Sequence, residues 1–152
     1  MKQFVIDASL TLDWCFTDEQ TPYAAAVLTL LETDTDAIVP SLWPLEVLNA
    51  LIVAERRKRI TLQEAEEFLT VIRGLNIEVE DAPSDRAFSQ SFNDIYELAR
   101  KHRLTAYDAA YLELALRRGL PLASLDDDLN RAAGASGVQL VQPPAQRKQE
   151  HS

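Results

Sequence analysis

Four carboxylates stand where a folded chain could gather them: Asp7, Glu46, Asp108 and Asp126. Asp7 ends the apolar run Phe4-Val5-Ile6, and Asp126 comes shortly after Pro121-Leu122-Ala123. If both runs are strands of an open parallel sheet, both acids lie beyond strand carboxyl ends, where such sheets collect ligands. Each also has a plainer use. Asp7 can cap a helix beginning near Ser9, and Asp126-Asp127-Asp128 can open a helix whose N-terminus favours negative charge. Glu46 follows Trp43-Pro44 within the otherwise apolar stretch Leu45 to Ala54, interrupted only by Asn49. On a helix Glu46, Asn49, Ala50 and Val53 share a face, so Asn49 is placed one turn on to orient the carboxylate. The plainer use of Glu46 is a dipole or capping-box residue. Asp108 is followed at helical spacing by Tyr111, Leu112 and Ala115, which makes its side of the helix largely apolar. A carboxylate facing a core is costly unless it is paired or bound to a cation. Small Ala109 and Ala110 suggest close approach to something, and the competing use is a capping box with Thr105.

The donor set narrows the chemistry. Oxygen-only ligands suit Mg²⁺ or Mn²⁺ rather than zinc. The two histidines, His102 and His151, are far apart, and the single cysteine, Cys15, has no second thiol to make a disulfide or a zinc site. Gly74, Gly119, Gly134 and Gly137 match neither common nucleotide-binding loop. A Ser–His–Asp triad is poorly served by the lone His102, which reads as the end of a helix.

The elements that must position these acids alternate from start to finish. Phe4-Val5-Ile6, Ala37-Ile38-Val39, Ile77-Glu78-Val79, Pro121-Leu122-Ala123 and Val138-Gln139-Leu140-Val141 read as short strands. Between them, Thr21-Pro22 opens a helix with a cap and a proline at the first position. Leu45, Leu48 and Ile52 give amphipathic spacing to a second helix that ends in basic residues after Glu55. Leu62 to Ile72, closed by Gly74, and Phe88 to Ala99 give two more, and Ala106 to Arg118 runs to a stop at Gly119 and Pro121. This alternation predicts an α/β fold, a parallel sheet covered by helices on both faces. One domain over residues 1–142 is expected, followed by a polar, disordered tail over 143–152.

Composition sets the bounds. With 152 residues, 47% of them hydrophobic and 26% charged, the chain is long enough to bury a core and reads as a globular protein. No apolar run approaches the roughly 20 residues that span a bilayer. Asp7 interrupts the N-terminal apolar stretch too early for a secretory signal, so a cytoplasmic protein is expected. The net charge of −9 argues against tight, indiscriminate nucleic-acid binding. It leaves room for a nuclease whose carboxylates hold divalent cations, because such ions invert the local field. Nine of the fifteen Lys and Arg fall in three clusters: Arg56, Arg57, Lys58 and Arg59; Arg100, Lys101 and Arg103; Arg117 and Arg118. Each lies near a predicted helix C-terminus, where it complements the dipole; gripping phosphates is the other use.

These residues and their surroundings resemble the PIN-domain nucleases, specifically the VapC-type toxins, over nearly the whole chain from Val5 to about Val141. The pieces that carry the resemblance are Asp7-Ala8-Ser9, Pro44-Leu45-Glu46-Val47-Leu48-Asn49-Ala50-Leu51, Leu104-Thr105-Ala106-Tyr107-Asp108-Ala109-Ala110-Tyr111 and Leu122-Ala123-Ser124-Leu125-Asp126. The resemblance implies a three-layer α/β/α fold with a five-stranded parallel sheet in the order 3-2-1-4-5. It implies an acidic site of Asp7, Glu46, Asp108 and Asp126, with Ser9 and Ser124 as polar support, holding Mg²⁺ or Mn²⁺. The implied reaction is hydrolysis of an RNA phosphodiester to 5′-phosphate and 3′-hydroxyl ends. The implied partners are a cognate antitoxin and a second copy of the chain; the apolar helices Tyr23 to Leu31 and Leu45 to Ala54 are either the antitoxin's groove or plain core. Asp127 and Asp128 follow Asp126 directly, so the fourth acid rests on its Ser124-x-Asp126 spacing. A non-catalytic domain of this fold, kept for protein or RNA contact, is the alternative. Receiver domains want paired acids after the first strand, and the dehalogenase-type phosphatases want Asp-x-Asp where this chain has Ser9.

Overall fold

The computed structural model describes residues 2–16, 18, 20–81 and 85–144, with the backbone alone at 85–88. The expected disordered tail lies outside the described residues except for Pro143 and Pro144. The elements in chain order are β1 (Gln3–Ile6), α1 (Ala8–Asp13), α2 (Pro22–Leu31), β2 (Asp36–Val39), α3 (Trp43–Arg56), α4 (Leu62–Arg73), β3 (Ile77–Val79), α5 (Asp85–His102), α6 (Ala106–Arg118), β4 (Leu122–Ala123) and α7 (Asp127–Ala135).

All strand pairs are parallel, and the sheet order is β3-β2-β1-β4. Phe4, Val5 and Ile6 of β1 and Ala37, Ile38 and Val39 of β2 are all fully buried. Successive strand residues point to opposite faces, so three buried in a row means that both faces of the sheet are covered. Right-handed crossovers explain how. The chain steps one way through β1, β2 and β3, then reverses to β4, which sends the helices before and after the reversal to opposite faces. In agreement, α1 packs on α2 and α3, and α3 on α4, whereas α6 packs on α5 and α7.

The fifth strand is reduced to one bridge. Leu140 pairs with Leu122 in parallel, the Leu122 amide donates to the Gln139 carbonyl, and the Val141 amide donates to the Leu122 carbonyl. The segment therefore occupies the fifth position, beside β4, but β4 is only two residues long and offers no longer ladder.

Local signals place the helix boundaries. The Thr21 and Thr61 hydroxyls cap α2 and α4, and Thr61 with Glu64 closes both halves of a capping box. Gly119 takes the left-handed conformation that ends α6. Gly74 also ends its helix, yet with ordinary right-handed angles.

The buried face of α3 is not the one its spacing suggested. Leu45, Leu48 and Ile52 are exposed, at 72%, 41% and 45%, while Trp43, Val47, Leu51 and Ala54 face the core. An apolar helix carries two stripes at helical spacing, and periodicity cannot choose between them. The core beneath α1 and β2 makes the choice.

Candidate active site

The site begins where β1 and β4 end side by side. Ile6 pairs with Ala123, which brings the turn after each strand to the switch point of the sheet. Asp7 follows Ile6 and is buried, with 3% of its surface exposed. Its carboxylate accepts from the Ser9 hydroxyl at 2.8 and 2.9 Å, the Leu10 amide at 3.0 Å and the Ser124 hydroxyl at 2.6 Å. Burial nevertheless dominates and, with a smaller push from Asp108, raises the pKa of Asp7 to about 6 against the lowering pull of those hydrogen bonds.

Ser124 links two of the acids. It donates to Asp7 and accepts from the Asp126 amide at 2.9 Å, while Ser9 accepts from the Leu125 amide at 3.3 Å. The two serines thus lock the turn after β4 against the turn after β1. Asp126 does cap α7, accepting the Leu129 amide at 2.8 Å through Oδ1. Asp7 likewise caps α1 through Leu10. The structural uses weighed for both acids are therefore real, and they accompany the placement at the switch point.

Asp108 enters from the first turn of α6. Thr105 caps that helix by accepting the Asp108 amide at 3.1 Å, which is half of a capping box. Burial raises the pKa of Asp108 first, and the charges of Asp126, Glu46 and Asp128 raise it further. Glu46 comes from the first turn of α3, and its Oε1 accepts from the Tyr111 hydroxyl at 2.5 Å. Asn49, expected to orient Glu46, is exposed. Three residues on, a helix has turned to about 60° short of a full circle, and that difference aims position 49 at solvent. Tyr111 holds the glutamate in its place.

Asp108 thus lies within electrostatic reach of each of the other three expected acids, and Ser9 and Ser124 stand between Asp7 and Asp126. Among the described residues none of the four forms an ion pair with Lys or Arg; the ion pairs there engage Glu80, Glu113 and Asp128. Also among the described residues, no three acidic, histidine or cysteine side chains surround one point at metal-coordinating distance. The acids are repelling neighbours rather than a closed cage. Their chemistry fits a hard divalent cation: the donors are all oxygen, and added positive charge relieves the repulsion.

Two supports lay hidden in the sequence. Thr11 donates to the Asp7 carbonyl at 2.8 Å and accepts from the Trp43 indole at 3.1 Å, which ties α1 to the start of α3. Tyr111 was legible only as apolar core, although a buried tyrosine generally needs a partner for its hydroxyl. A separate cleft of about 450 Å³, lined by Leu42, Glu80, Phe92, Ile95, Glu113 and Arg117 among others, does not include the four acids.

Comparison with known proteins places this geometry. Residues 4–135 match the family described as PIN domain. Three solved structures share the fold. PAE2754 from Pyrobaculum aerophilum has a TM-score of 0.61 at 19% identity, covering 86% of this chain and 84% of its own. VapC20 of Mycobacterium tuberculosis, described as a sarcin–ricin loop cleaving toxin, has a TM-score of 0.61 at 14% identity over 92% and 99%. FitAcB from Neisseria gonorrhoeae has a TM-score of 0.59 at 20% identity over 92% and 97%. No curated protein sequence gives a significant match.

Proposed function

The chain belongs to the PIN domain family, and we propose that it is a Mg²⁺- or Mn²⁺-dependent endoribonuclease acting as the toxin of a toxin–antitoxin pair. The observation that carries this reading is the unneutralised set of acids at the sheet's switch point. Asp7 and Asp108 have raised pKa values there and no basic partner among the described residues. Asp7 keeps its raised pKa in spite of the hydrogen bonds that it accepts, and perturbed groups converging on one place mark functional sites.

Asp7, Asp108 and Asp126 would hold the cation, and Glu46 would hold it or orient the attacking water. When bound, the ion supplies an activated water and stabilises charge on the attacked phosphate. The protein's own part is geometric. Ser9, Ser124 and the Leu10 amide keep Asp7 in one rotamer, so its negative charge does not swing into solvent. Half-burial of Asp108 strengthens its pull on a cation. We assign this catalytic unit to residues 1–142.

The toxin role is supported by the fold shared with VapC20, a sarcin–ricin loop cleaving toxin. It implies a protein antitoxin and a second copy of the chain as partners. Of the two helices expected to receive an antitoxin, α2 commits Ala24, Ala26, Val27 and Leu31 to the core. The exposed stripe Leu45, Leu48 and Ile52 of α3 is the apolar surface that remains. No helix among the described residues is long and apolar enough to cross a membrane.

A PIN domain kept only for binding protein or RNA is the second reading, favoured by the absence of three described ligands around one point. One experiment separates the two. RNA ends are sequenced after brief expression of the wild type and of Asp7→Asn, and the purified protein is assayed with Mn²⁺ and with chelator. Defined new 5′-phosphate ends, seen only with wild type and lost with chelator, establish the nuclease. Identical end profiles for the two proteins establish the binding domain.

A further inference from the structure

Tyr111 is 1% exposed in the middle of the core, yet its hydroxyl emerges among the acids. It donates to Glu46 Oε1, and the Ala8 backbone lies near enough to the same phenolic oxygen to favour negative charge on it slightly. Ala8 is the first residue of α1, whose amide has no acceptor within its own helix, and it adjoins Asp7. Tyr111 itself lies one turn after Asp108 on α6. One oxygen atom therefore touches or adjoins the elements bearing three of the four acids. It joins helices from opposite faces of the sheet, α3 and α6, over the carboxyl end of β1.

We propose that Tyr111 is the positioning residue of the acidic site: its hydroxyl fixes Glu46 relative to Asp7 and Asp108, so that their oxygens present one cation-binding constellation. The claim deepens the nuclease reading and rests on it for its activity arm. Without this bond Glu46 is a half-exposed side chain with free rotamers, repelled by Asp108. With it, one carboxylate oxygen is anchored and the other is left for a cation or water. A phenol carries its proton at neutral pH, so the hydroxyl is a donor to Glu46. A merely structural tyrosine would fill the same volume through its ring, and the hydroxyl would have no consequence for metal binding.

Full-length wild type, Tyr111→Phe, Glu46→Gln and the double variant are compared in two assays. Free Mn²⁺ is followed by electron paramagnetic resonance during titration, and cleavage of an RNA substrate gives kcat and KM. Unfolding in chelator checks that each variant folds. Loss of a group that orients metal ligands typically lowers affinity or activity by about 10–100-fold, and Tyr111→Phe is expected to fall in that range for both Mn²⁺ affinity and kcat. KM for RNA should stay within about twofold, because the hydroxyl acts on the acids rather than on bound RNA. Since Tyr111 acts through Glu46, adding Tyr111→Phe to Glu46→Gln should cost nothing further. Wild-type Mn²⁺ affinity and kcat in Tyr111→Phe overturn the proposal, and so do losses that multiply in the double variant. Should Tyr111→Phe fail to fold, Tyr111→Met, an adaptable apolar side chain that also lacks the hydroxyl, takes its place. Mn²⁺ affinity reduced about 10-fold or more supports positioning, and wild-type affinity overturns it. If the wild type cleaves no RNA, the nuclease reading fails by itself, and the Mn²⁺ titrations alone decide the role of Tyr111.

Discussion

Helix α6 carries carboxylates in two opposite conditions. At its N-terminal end Asp108 faces Asp126 and Glu46, and burial together with their charges raises its pKa. Further along, Glu113 is also a carboxylate and more buried, but Arg117 meets it at 2.7 Å. Arg117 also meets Glu80, the residue after β3, and Arg118 joins at 3.0 Å. Hydrogen bonds from Arg117 are the main reason that the pKa of Glu80 is lowered rather than raised. The residue types at the two ends are the same and the helix is the same. What differs is whether the fold delivers a guanidinium. Where it does, the carboxylates clamp α6 to the sheet edge; where it does not, they are left to repel one another.

The comparison can be broken most directly at Asp108. Asp108→Asn should lower Mg²⁺-dependent cleavage by at least about 100-fold, the scale of losing one electrostatic group from such a site. Its melting temperature in chelator should stay level or rise, because the substitution removes like-charge repulsion. An Asn variant that cleaves RNA at a near-normal rate would end the functional assignment of that end of the helix.

The two ends should also respond to pH with opposite sign. The folded pKa of Asp7, about 6, lies above its ordinary value of 3.8. Between those values the native state holds a proton that the unfolded chain has released. Stability of the metal-free protein therefore falls as pH rises through that window, by up to roughly 3 kcal/mol from this group. Asp7→Asn should flatten the slope. Glu80 contributes the other way: its lowered pKa gives stability at neutral pH that is lost as pH falls through the acid range. Glu80→Gln should remove that acid loss. Urea midpoints measured in chelator across this range for wild type and both variants would show the two slopes, and slopes of one sign would refute the contrast.

A smaller effect is expected at the paired end. Arg117→Ala leaves Glu113 buried without its partner, which should cost about 2 kcal/mol, discounted for the partial exposure of Arg117. In a chain of this size that is a fall of roughly 6 °C in melting temperature. Cleavage at permissive temperature should be unchanged, since the pair touches none of the four acids. The smallest effect tests whether pairing alone matters. Arg131 meets Asp128 at 2.8 Å, but both side chains are largely exposed, at 60% and 66%. Arg131→Ala should shift stability by less than about 0.5 kcal/mol. A larger loss would show that surface pairing, and not burial, makes the other end rigid.

How far the site was legible depended on the distance between partners. Ser9 and Ser124 stand two residues from Asp7 and Asp126, inside the short motifs that carry the family resemblance, and it is the resemblance that marks them. Tyr111 and Glu46 are 65 residues apart, and Arg117 and Glu80 are 37 apart, so no local pattern announced either bond. Asn49 is the nearest polar neighbour of Glu46 along the helix, whereas its actual donor, Tyr111, comes from another layer. The exposed stripe of α3 illustrates the same limit, since both of its apolar stripes satisfy helical periodicity.

The sequence by itself determined the alternation of short apolar runs with capped helices, the helix stop at Gly119 and the oxygen-only donor set. Those features are governed by local sterics, by hydrogen bonding within a few residues and by side-chain chemistry. Only the tertiary structure decided which face of α3 is buried, that the fifth strand shrinks to one bridge beside a two-residue β4, and which carboxylates receive an arginine. Each depends on contacts between segments distant along the chain, and the energy of a buried charge is set by what surrounds it rather than by what precedes it.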